Sequence, residues 1–362
     1  MGGKIVKIVV TAGGTMGHIN PALAIIDEFK KHEKNLEVIY FGTHNRMEKD
    51  IIPKLGYRYI PLEIYGFSKD IVRDIKNVFL VKRAIQQVRE VLRVEKPDVV
   101  IGVGGYVTYP VIMAAHKEHI KVFIHEQNSI PGKSNKMISR YADIIGVTFK
   151  ESENHLKTKG KVILTGHPCG AWALEVAAKD KKSLGLEEHK KLVTIVAGSL
   201  GSGSLNEKML SYLKSIGTEN YEVCYITGKN HYEEYSQNKF PKNVHLFPYM
   251  EELPGLLKIS DVIVSRAGAG SLSEILALKK LAVIIPSPNV ANNHQYYNAK
   301  ELADKGLIYL LEEKNLTKEA LEDAIKKLLN DVETKAKMKK NLEQEKTTDS
   351  AKIIYDEIKK LI

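Results

Sequence analysis

The chain has 362 residues, about twice the length of a common domain, so two domains are expected. Apolar residues make up 43% of it, enough for two buried cores and too many for a disordered chain. Two cysteines, Cys169 and Cys224, exclude a disulfide framework and a CxxC metal pair, while a formal charge of +10 asks for an acidic partner: nucleic acid, anionic lipid or a phosphorylated small molecule.

The apolar run Ile5–Val10 predicts a buried strand, which begins so near the start that no signal peptide is expected. Gly13-Gly14-Thr15-Met16-Gly17-His18 follows, and Pro21–His32 predicts a helix. At such a corner glycines bring backbone N–H groups close to a ligand, the helix N-terminus favours an anion, and His18 can exchange a proton near neutral pH. A plain strand-to-helix turn with a surface histidine is the alternative. Further strands are predicted at Glu37–Phe41, Val99–Val103, Val122–His125 and Ile144–Val147, with helices at Met47–Leu55 and Val78–Val94. Alternating strands and helices imply right-handed crossovers and a parallel sheet covered on both faces. Between Lys69 and Lys96 eight Lys/Arg stand against four Asp/Glu, beside Ile75, Val78, Phe79, Leu80 and Val81. Such a stretch suits an anionic lipid surface, or is a helix whose apolar stripe is core. A second glycine turn, Gly102-Val103-Gly104-Gly105-Tyr106, ends the strand at Val99–Val103. His125-Glu126-Gln127-Asn128 puts four polar groups at a strand's carboxyl end, where packing rarely needs them, and reads as site-forming. His167, with His44, His116, His119 and His231, reads as a surface residue.

The same pattern restarts after Thr165-Gly166-His167-Pro168, which makes Gly166 to Trp172 the expected hinge. A charged segment, Lys179 to Lys191, leads to a strand at Leu192–Ala197, the turn Gly198-Ser199-Leu200-Gly201-Ser202 and a helix from Leu205. Strands are predicted at Glu222–Thr227, Val244–Phe247, Val262–Ser265 and Ala282–Ile285, and a fourth glycine turn at Arg266-Ala267-Gly268-Ala269-Gly270-Ser271. None of the four turns is a GxGxxG fingerprint or a P-loop lysine motif, which disfavours ordinary dehydrogenases and kinases. There is no GxSxG elbow, and no histidine–carboxylate pair has metal-ligand spacing. Two doubly wound halves, open at the carboxyl ends of their strands, would form a cleft for a nucleotide diphosphate and a second phosphorylated substrate. Glu274, about one turn into the helix that Ser271 opens, can accept bonds from a ribose diol or serve only the helix macrodipole. Asn292-Asn293-His294-Gln295 lies where a switch-point ligand would sit, or is a solvated loop. The basic residues, as in Lys335 to Lys346, are scattered without an arginine-rich arm, so nucleic acid is the weaker partner. A last helix, Ser350 to Ile362, can pack on either half. No apolar run approaches the roughly 18 residues needed to cross a bilayer, so a soluble protein that can lie on a membrane is expected.

Together these segments resemble the MurG family of cell-wall glycosyltransferases over almost the whole chain. The resemblance rests on Gly13–His18 with Asn20-Pro21-Ala22-Leu23-Ala24, Gly42-Thr43 with Arg46-Met47-Glu48, and Gly104-Gly105-Tyr106-Val107. It continues in His125–Asn128 with Asn135-Lys136, Thr165–Pro168, Gly198-Ser199 with Gly201 and Leu205-Asn206, Ser265–Ala269 with Ser273-Glu274, and His294-Gln295 with Asn298-Ala299. It implies an α/β GT-B fold of two Rossmann-like, doubly wound parallel-sheet domains. Residues 1–165 would bind acceptor and membrane and residues 166–345 the UDP-sugar, with the last helix (about 346–362) packing back on the first domain. The implied reaction is inverting transfer of N-acetylglucosamine from UDP-N-acetylglucosamine to the C4 hydroxyl of N-acetylmuramic acid in lipid I, giving lipid II for peptidoglycan synthesis. A peripheral position on the cytoplasmic face of the bacterial cell membrane is implied with it.

By position, the resemblance gives Glu274 the ribose hydroxyls, Ser199 the donor diphosphate, and Met250 the uracil through its backbone. His294 and Gln295 would contact the sugar, with Thr15, Gly17, Asn128 and Ala269 also on the donor side. Gly14, Gly104, Gly105 and Tyr106 would take the acceptor. His18 is the implied base for the acceptor hydroxyl, with Glu126 as the alternative base; a structural or acceptor-phosphate role is the other reading of His18. Amides at Gly198–Ser202 and Gly268–Ser271 would stabilise the departing diphosphate, with no metal and no cofactor. The implied partners are UDP-N-acetylglucosamine, lipid I, an anionic membrane surface and other cell-wall synthesis proteins, and no nucleic acid. Three positions depart from the family pattern: Met16 replaces a glycine, Leu200 a glutamine, and Gly166-His167-Pro168-Cys169-Gly170 lacks the arginine that usually follows, for which Arg266 is the candidate substitute. Rival readings are a diacylglycerol glycosyltransferase, a non-catalytic nucleotide-sugar-binding subunit and a two-domain epimerase.

Overall fold

The computed structural model describes residues 5–66, 71–197, 203–217, 221–345 and 348–362. They fall into two compact units, Met1–Cys169 with Thr348–Ile362, and Gly170–Thr347.

The first unit is built on a parallel sheet of seven strands: β1 (Val6–Ala12), β2 (Leu36–Thr43), β3 (Arg58–Leu62), β4 (Val99–Gly104), β5 (Lys121–Glu126), β6 (Ile144–Val147) and β7 (Lys161–Leu164). Their order is β3-β2-β1-β4-β5-β6-β7, so the direction of winding reverses between β1 and β4. The helices between them are α1 (Met16–His32), α2 (Glu48–Ile51), α3 (Ile71–Glu95), α4 (Thr108–Lys117) and α5 (Lys133–Ile138). Central strands are covered on both faces, which explains their unbroken apolar runs. In β1, Val6, Ile8 and Val10 join the layer that contains α1, while Val9 joins the layer that contains α3 and α4.

β3 and β7 are not among the strands expected from sequence. Both are edge strands with partly exposed faces, and β3 carries Arg58 and Pro61, residues an edge tolerates and a central strand does not. α1 begins at Met16, five residues before the expected start, with Pro21 inside it. Met16 is thus helical and has no positive φ, so the methionine at this position needs no reshaped turn.

The chain passes into the second unit within α6 (Cys169–Glu175), and that unit holds a six-stranded parallel sheet: β8 (Lys191–Val196), β9 (Tyr221–Ile226), β10 (Val244–Phe247), β11 (Val262–Ser265), β12 (Leu281–Ile284) and β13 (Tyr309–Leu310). Its order, β10-β9-β8-β11-β12-β13, reverses between β8 and β11. β13, two residues long, is the strand missing from the sequence expectation. The helices are α7 (Gly203–Ser215), α8 (Tyr232–Ser236), α9 (Leu253–Ile259), α10 (Ala269–Ala277), α11 (His294–Asp304), α12 (Lys318–Asn330) and α13 (Val332–Gln344).

The last helix, α14 (Ser350–Lys359), belongs to the first unit and packs on α1. Asp349 caps it by accepting from Lys352 N–H at 3.1 Å. Ile354, Tyr355 and Ile358 enter the α1 layer, where the Tyr355 ring meets Phe29 edge-on at 4.9 Å and its hydroxyl donates to Glu33 at 2.7 Å. Among the described residues no helix is long and apolar enough to cross a membrane.

Candidate active site

In an open doubly wound sheet, ligands bind at the carboxyl ends of the strands where the winding reverses. In the first unit two glycine turns meet there, one after β1 and one at the end of β4. Gly13 N–H donates to Gly104 O at 3.3 Å. A β-carbon on Gly105 (φ +89°) would fall 2.4 Å from Gly13 O, so only glycine lets the turns touch. A β-carbon on Gly104 (φ +115°) would lie 2.6 Å from Nδ1 of His18. The half-buried His18 ring, in the first turn of α1, rests where Gly104 has no side chain. Thr15 and Gly17 beside it are exposed, and Tyr106 is half-buried.

The first glycine turn is held from within the fold by Glu48, a fully buried carboxylate on α2. Its Oε1 accepts from Thr43 N–H at 2.9 Å and Thr43 Oγ1–H at 2.6 Å, and its Oε2 accepts from Gly14 N–H at 3.1 Å. Gly13 and Gly42 make room for it: β-carbons there would approach Glu48 atoms to 2.4 and 2.7 Å. Gly14 (φ +96°) therefore shapes the corner with its backbone and spends its N–H on Glu48, not on a ligand. Glu48 is absent from the site residues expected from sequence; the available signal is its place in the Gly42-Thr43 and Arg46-Met47-Glu48 segments.

Glu126, at the end of β5, is 1% exposed. It accepts from Asn128 N–H (2.9 Å), Asn128 Nδ2–H (3.3 Å), Gly132 N–H (3.1 Å) and Asn135 Nδ2–H (2.8 Å). Burial raises its pKa and these donors oppose the rise. A carboxylate so occupied shapes the loop that carries the half-buried Asn128. That argues against Glu126 as the acceptor of a proton from substrate, and leaves His18 as the more accessible candidate.

His125 is also buried; its Nε2–H donates to Gly166 O at 3.0 Å, and burial pushes its pKa down to about 4. His167 stands edge-on at 6.0 Å and accepts from Cys169 N–H through Nδ1 at 3.3 Å. Its pKa lies well below the ordinary histidine value, chiefly through burial, with His125 and His18 adding to the effect. The expectation of a surface residue is thus wrong for His167, which is 4% exposed, because the chain leaving β7 folds back over the end of β5.

In the second unit the turn after β8, with Ser199 and Leu200, lies outside the described residues. Beyond β11, Gly268 caps α10 in an extended conformation and Ala269 is its first residue. Glu274, the sixth, is 9% exposed. Burial alone pushes its pKa up to about 8. Arg266, the candidate substitute for the arginine missing after Pro168, is buried, paired with Glu313, and donates to Ile285 O at 3.3 Å.

The segment beyond β12 is ordered by its own bonds and is not merely a solvated loop. Asn292 and Asn293 take left-handed φ values of 54° and 50° immediately before α11. His294 donates from Nδ1–H to Ala291 O at 2.8 Å, and Gln295 Oε1 accepts from Ser287 N–H at 2.9 Å. Both side chains stay partly exposed. Met250 is half-buried in the loop between β10 and α9. Among the described residues, no three His, Cys, Asp or Glu side chains come together as metal ligands.

Residues 8–147 match the glycosyltransferase family 28 N-terminal domain and residues 192–354 the glycosyltransferase family 28 C-terminal domain. Over 98% of its length the chain is 40% identical to the UDP-N-acetylglucosamine–N-acetylmuramyl-(pentapeptide) pyrophosphoryl-undecaprenol N-acetylglucosamine transferase 1 of Bacillus cereus, of which it covers 99%. The similarly named transferase of a Thermoanaerobacter species is 37% identical over 98% of this chain and all of its own length. Among solved structures, MurG of Acinetobacter baumannii superposes with a TM-score of 0.77 at 25% identity, over 98% of this chain and 99% of that one. A UDP-GlcNAc 2-epimerase from Neisseria meningitidis, bound to UDP-GlcNAc, shares the fold with a TM-score of 0.68 at 18% identity, over 99% of this chain and all of the other.

Proposed function

The chain belongs to the MurG family within glycosyltransferase family 28, and on that premise we propose that it transfers N-acetylglucosamine from UDP-N-acetylglucosamine to lipid I, giving lipid II for peptidoglycan synthesis. The observation that carries this reading is the 40% identity kept along 98% of the chain with the Bacillus cereus transferase. The second unit holds the donor: Glu274 takes the ribose diol, Met250 meets the uracil through its backbone, and His294 and Gln295 read the sugar. The first unit takes the acceptor at Gly104, Gly105 and Tyr106, and Thr15, Gly17 and Asn128 keep the donor-binding role that the family resemblance gives them.

The reaction is one displacement with inversion at the anomeric carbon. The C4 hydroxyl of the muramoyl sugar forms the new C–O bond as the bond to UDP breaks, and its electron pair departs with UDP. His18 takes the hydroxyl's proton, while Glu126 and Glu48 position the loops around it. N–H groups at the start of α10, together with Ala269, face the charge that grows on the diphosphate. Donor turn Gly198–Ser202, with Ser199, completes this assignment from sequence.

The lipid acceptor calls for a peripheral position on the cytoplasmic face of the cell membrane. Supporting it, α3 exposes Ile75, Val78 and Phe79 beside the exposed Lys76, Lys82 and Arg83. Apolar side chains can enter the headgroup region while cations meet anionic lipid. Other cell-wall synthesis proteins are the further partners of this reading.

The test is transfer of labelled sugar from UDP-N-acetylglucosamine to a short-chain lipid I analogue, with and without EDTA, by the wild type and by His18→Ala. Label in a disaccharide lipid, insensitive to EDTA, is expected, with kcat in the variant lower by about 10²–10⁴ and the donor KM unchanged. Free sugar and UDP released without acceptor, or transfer only to diacylglycerol, would overturn the reading.

A further inference from the structure

One fully buried side chain of α3 is polar. Asn77 is 0% exposed, and both atoms of its amide hold one residue of the segment after β3: Oδ1 accepts from Tyr65 N–H at 2.8 Å, and Nδ2 donates to Tyr65 O at 2.6 Å. An amide engaged twice by one residue fixes that residue's position and the plane of its backbone. The Tyr65 ring is held on two sides, edge-on to His44 at 5.1 Å and under Arg73 of α3 at 5.6 Å. The next residue, Gly66, runs against Tyr106: a β-carbon on it would lie 3.5 Å from Cδ1 and 3.6 Å from Cε1 of that ring. Tyr106 in turn follows Gly104 and Gly105, on which His18 and Gly13 rest. Ile75, Val78 and Phe79, on either side of Asn77 in sequence, are exposed.

We propose that Asn77 is a positioning residue for the lipid acceptor: by gripping Tyr65 it seats Gly66 against Tyr106, so that the helix facing the membrane and the turn receiving the acceptor keep one fixed relation. The proposal rests on the assignment of Tyr106 to acceptor binding and of α3 to the membrane surface. An apolar residue at position 77 would serve the core equally well. It would leave Tyr65 N–H and C=O without these partners, and the ring of Tyr106 with a mobile neighbour.

The test is steady-state kinetics of the full-length chain with Asn77→Ala, Tyr106→Ala and both, using a lipid I analogue in phosphatidylglycerol vesicles and varied UDP-N-acetylglucosamine. Asn77→Ala should lower kcat/KM for the acceptor about tenfold, as small misplacements of bound groups do, with the donor KM unchanged. Added to Tyr106→Ala it should cost less than about twofold, because the two act through one contact. Fully multiplicative losses, or equal rises in both KM values, would overturn the proposal while leaving the acceptor assignment of Tyr106 standing. Wild-type activity in Tyr106→Ala would overturn that assignment and this proposal with it. Should Asn77→Ala not fold, Asn77→Asp keeps acceptance from Tyr65 N–H and loses donation to Tyr65 O. An acceptor KM raised with the donor KM constant supports the proposal, and an unchanged acceptor KM sinks it.

Discussion

Three buried carboxylates differ in what they meet, and that difference separates their roles. Glu48 accepts three hydrogen bonds and Glu126 four, whereas burial alone acts on the pKa of Glu274. Burial, with nothing opposing it, pushes the Glu274 pKa up to about 8. The folded value lies above that of the unfolded chain, so from about pH 4.5 to 8 folding retains a proton that unfolding releases. Stability should fall as pH rises through that window, by at most about 1.4 kcal/mol for each pH unit crossed. Glu274→Gln removes the effect: the variant should melt with the wild type near the lower end of the window and above it at the upper end. Ribose hydroxyls donating to the carboxylate favour its charged form, so UDP binding near neutral pH should release a proton, and Glu274→Gln should raise the donor KM. Calorimetric titration of UDP in buffers of different ionisation enthalpy measures the released proton, and absence of any release would remove Glu274 from the ribose.

Among the elements, α3 joins two surfaces of different character. Its inner face carries Ala84, Val88 and Leu92 into the core, and its outer face shows Phe79 at 65% and Ile75 at 56% exposure. Replacing Ile75 and Phe79 with serine should weaken binding to anionic vesicles while leaving turnover on a soluble short-chain acceptor and the melting temperature within error, since neither side chain is buried. Co-sedimentation with vesicles checks this, and unchanged binding would move the membrane contact elsewhere. The central strands are legible because parallel β-sheet buries both faces and leaves a continuous apolar run. β3, β7 and β13 are not, being short or at edges where one face and one row of backbone groups meet water. Sequence alone misplaces the start of α1, because Pro21 suits a first turn and Gly17 suits the loop before it. Only the packing of Met16 and Ile19 beside β1 shows that the helix has already begun.

Across the whole molecule, each unit has its own sheet and its own reversal of winding, and the chain returns to the first unit for its final helix. α14 buries Ala351, Ile354, Tyr355 and Ile358 against α1 and the first sheet. Each large apolar side chain so buried contributes roughly 1.5–3 kcal/mol, so the helix contributes a substantial part of the marginal stability of a domain. Deleting residues 348–362 should abolish or sharply lower the melting transition of the first unit, while UDP should still raise that of the second. Scanning calorimetry with and without UDP distinguishes the two, and an unchanged profile would show the helix to be dispensable. The alternation of strands and helices, the four glycine turns and the family follow from the amino-acid order, because they are written in local patterns and in residues that stand next to one another. Only folding decides that Glu48 takes the N–H of Gly14, that His167 is buried, that Arg266 is neutralised by Glu313 and that Asn77 reaches Tyr65. Three of these depend on a partner distant in sequence and the fourth on the packing around His167, and whether a polar group is free for chemistry is set by what the fold brings beside it.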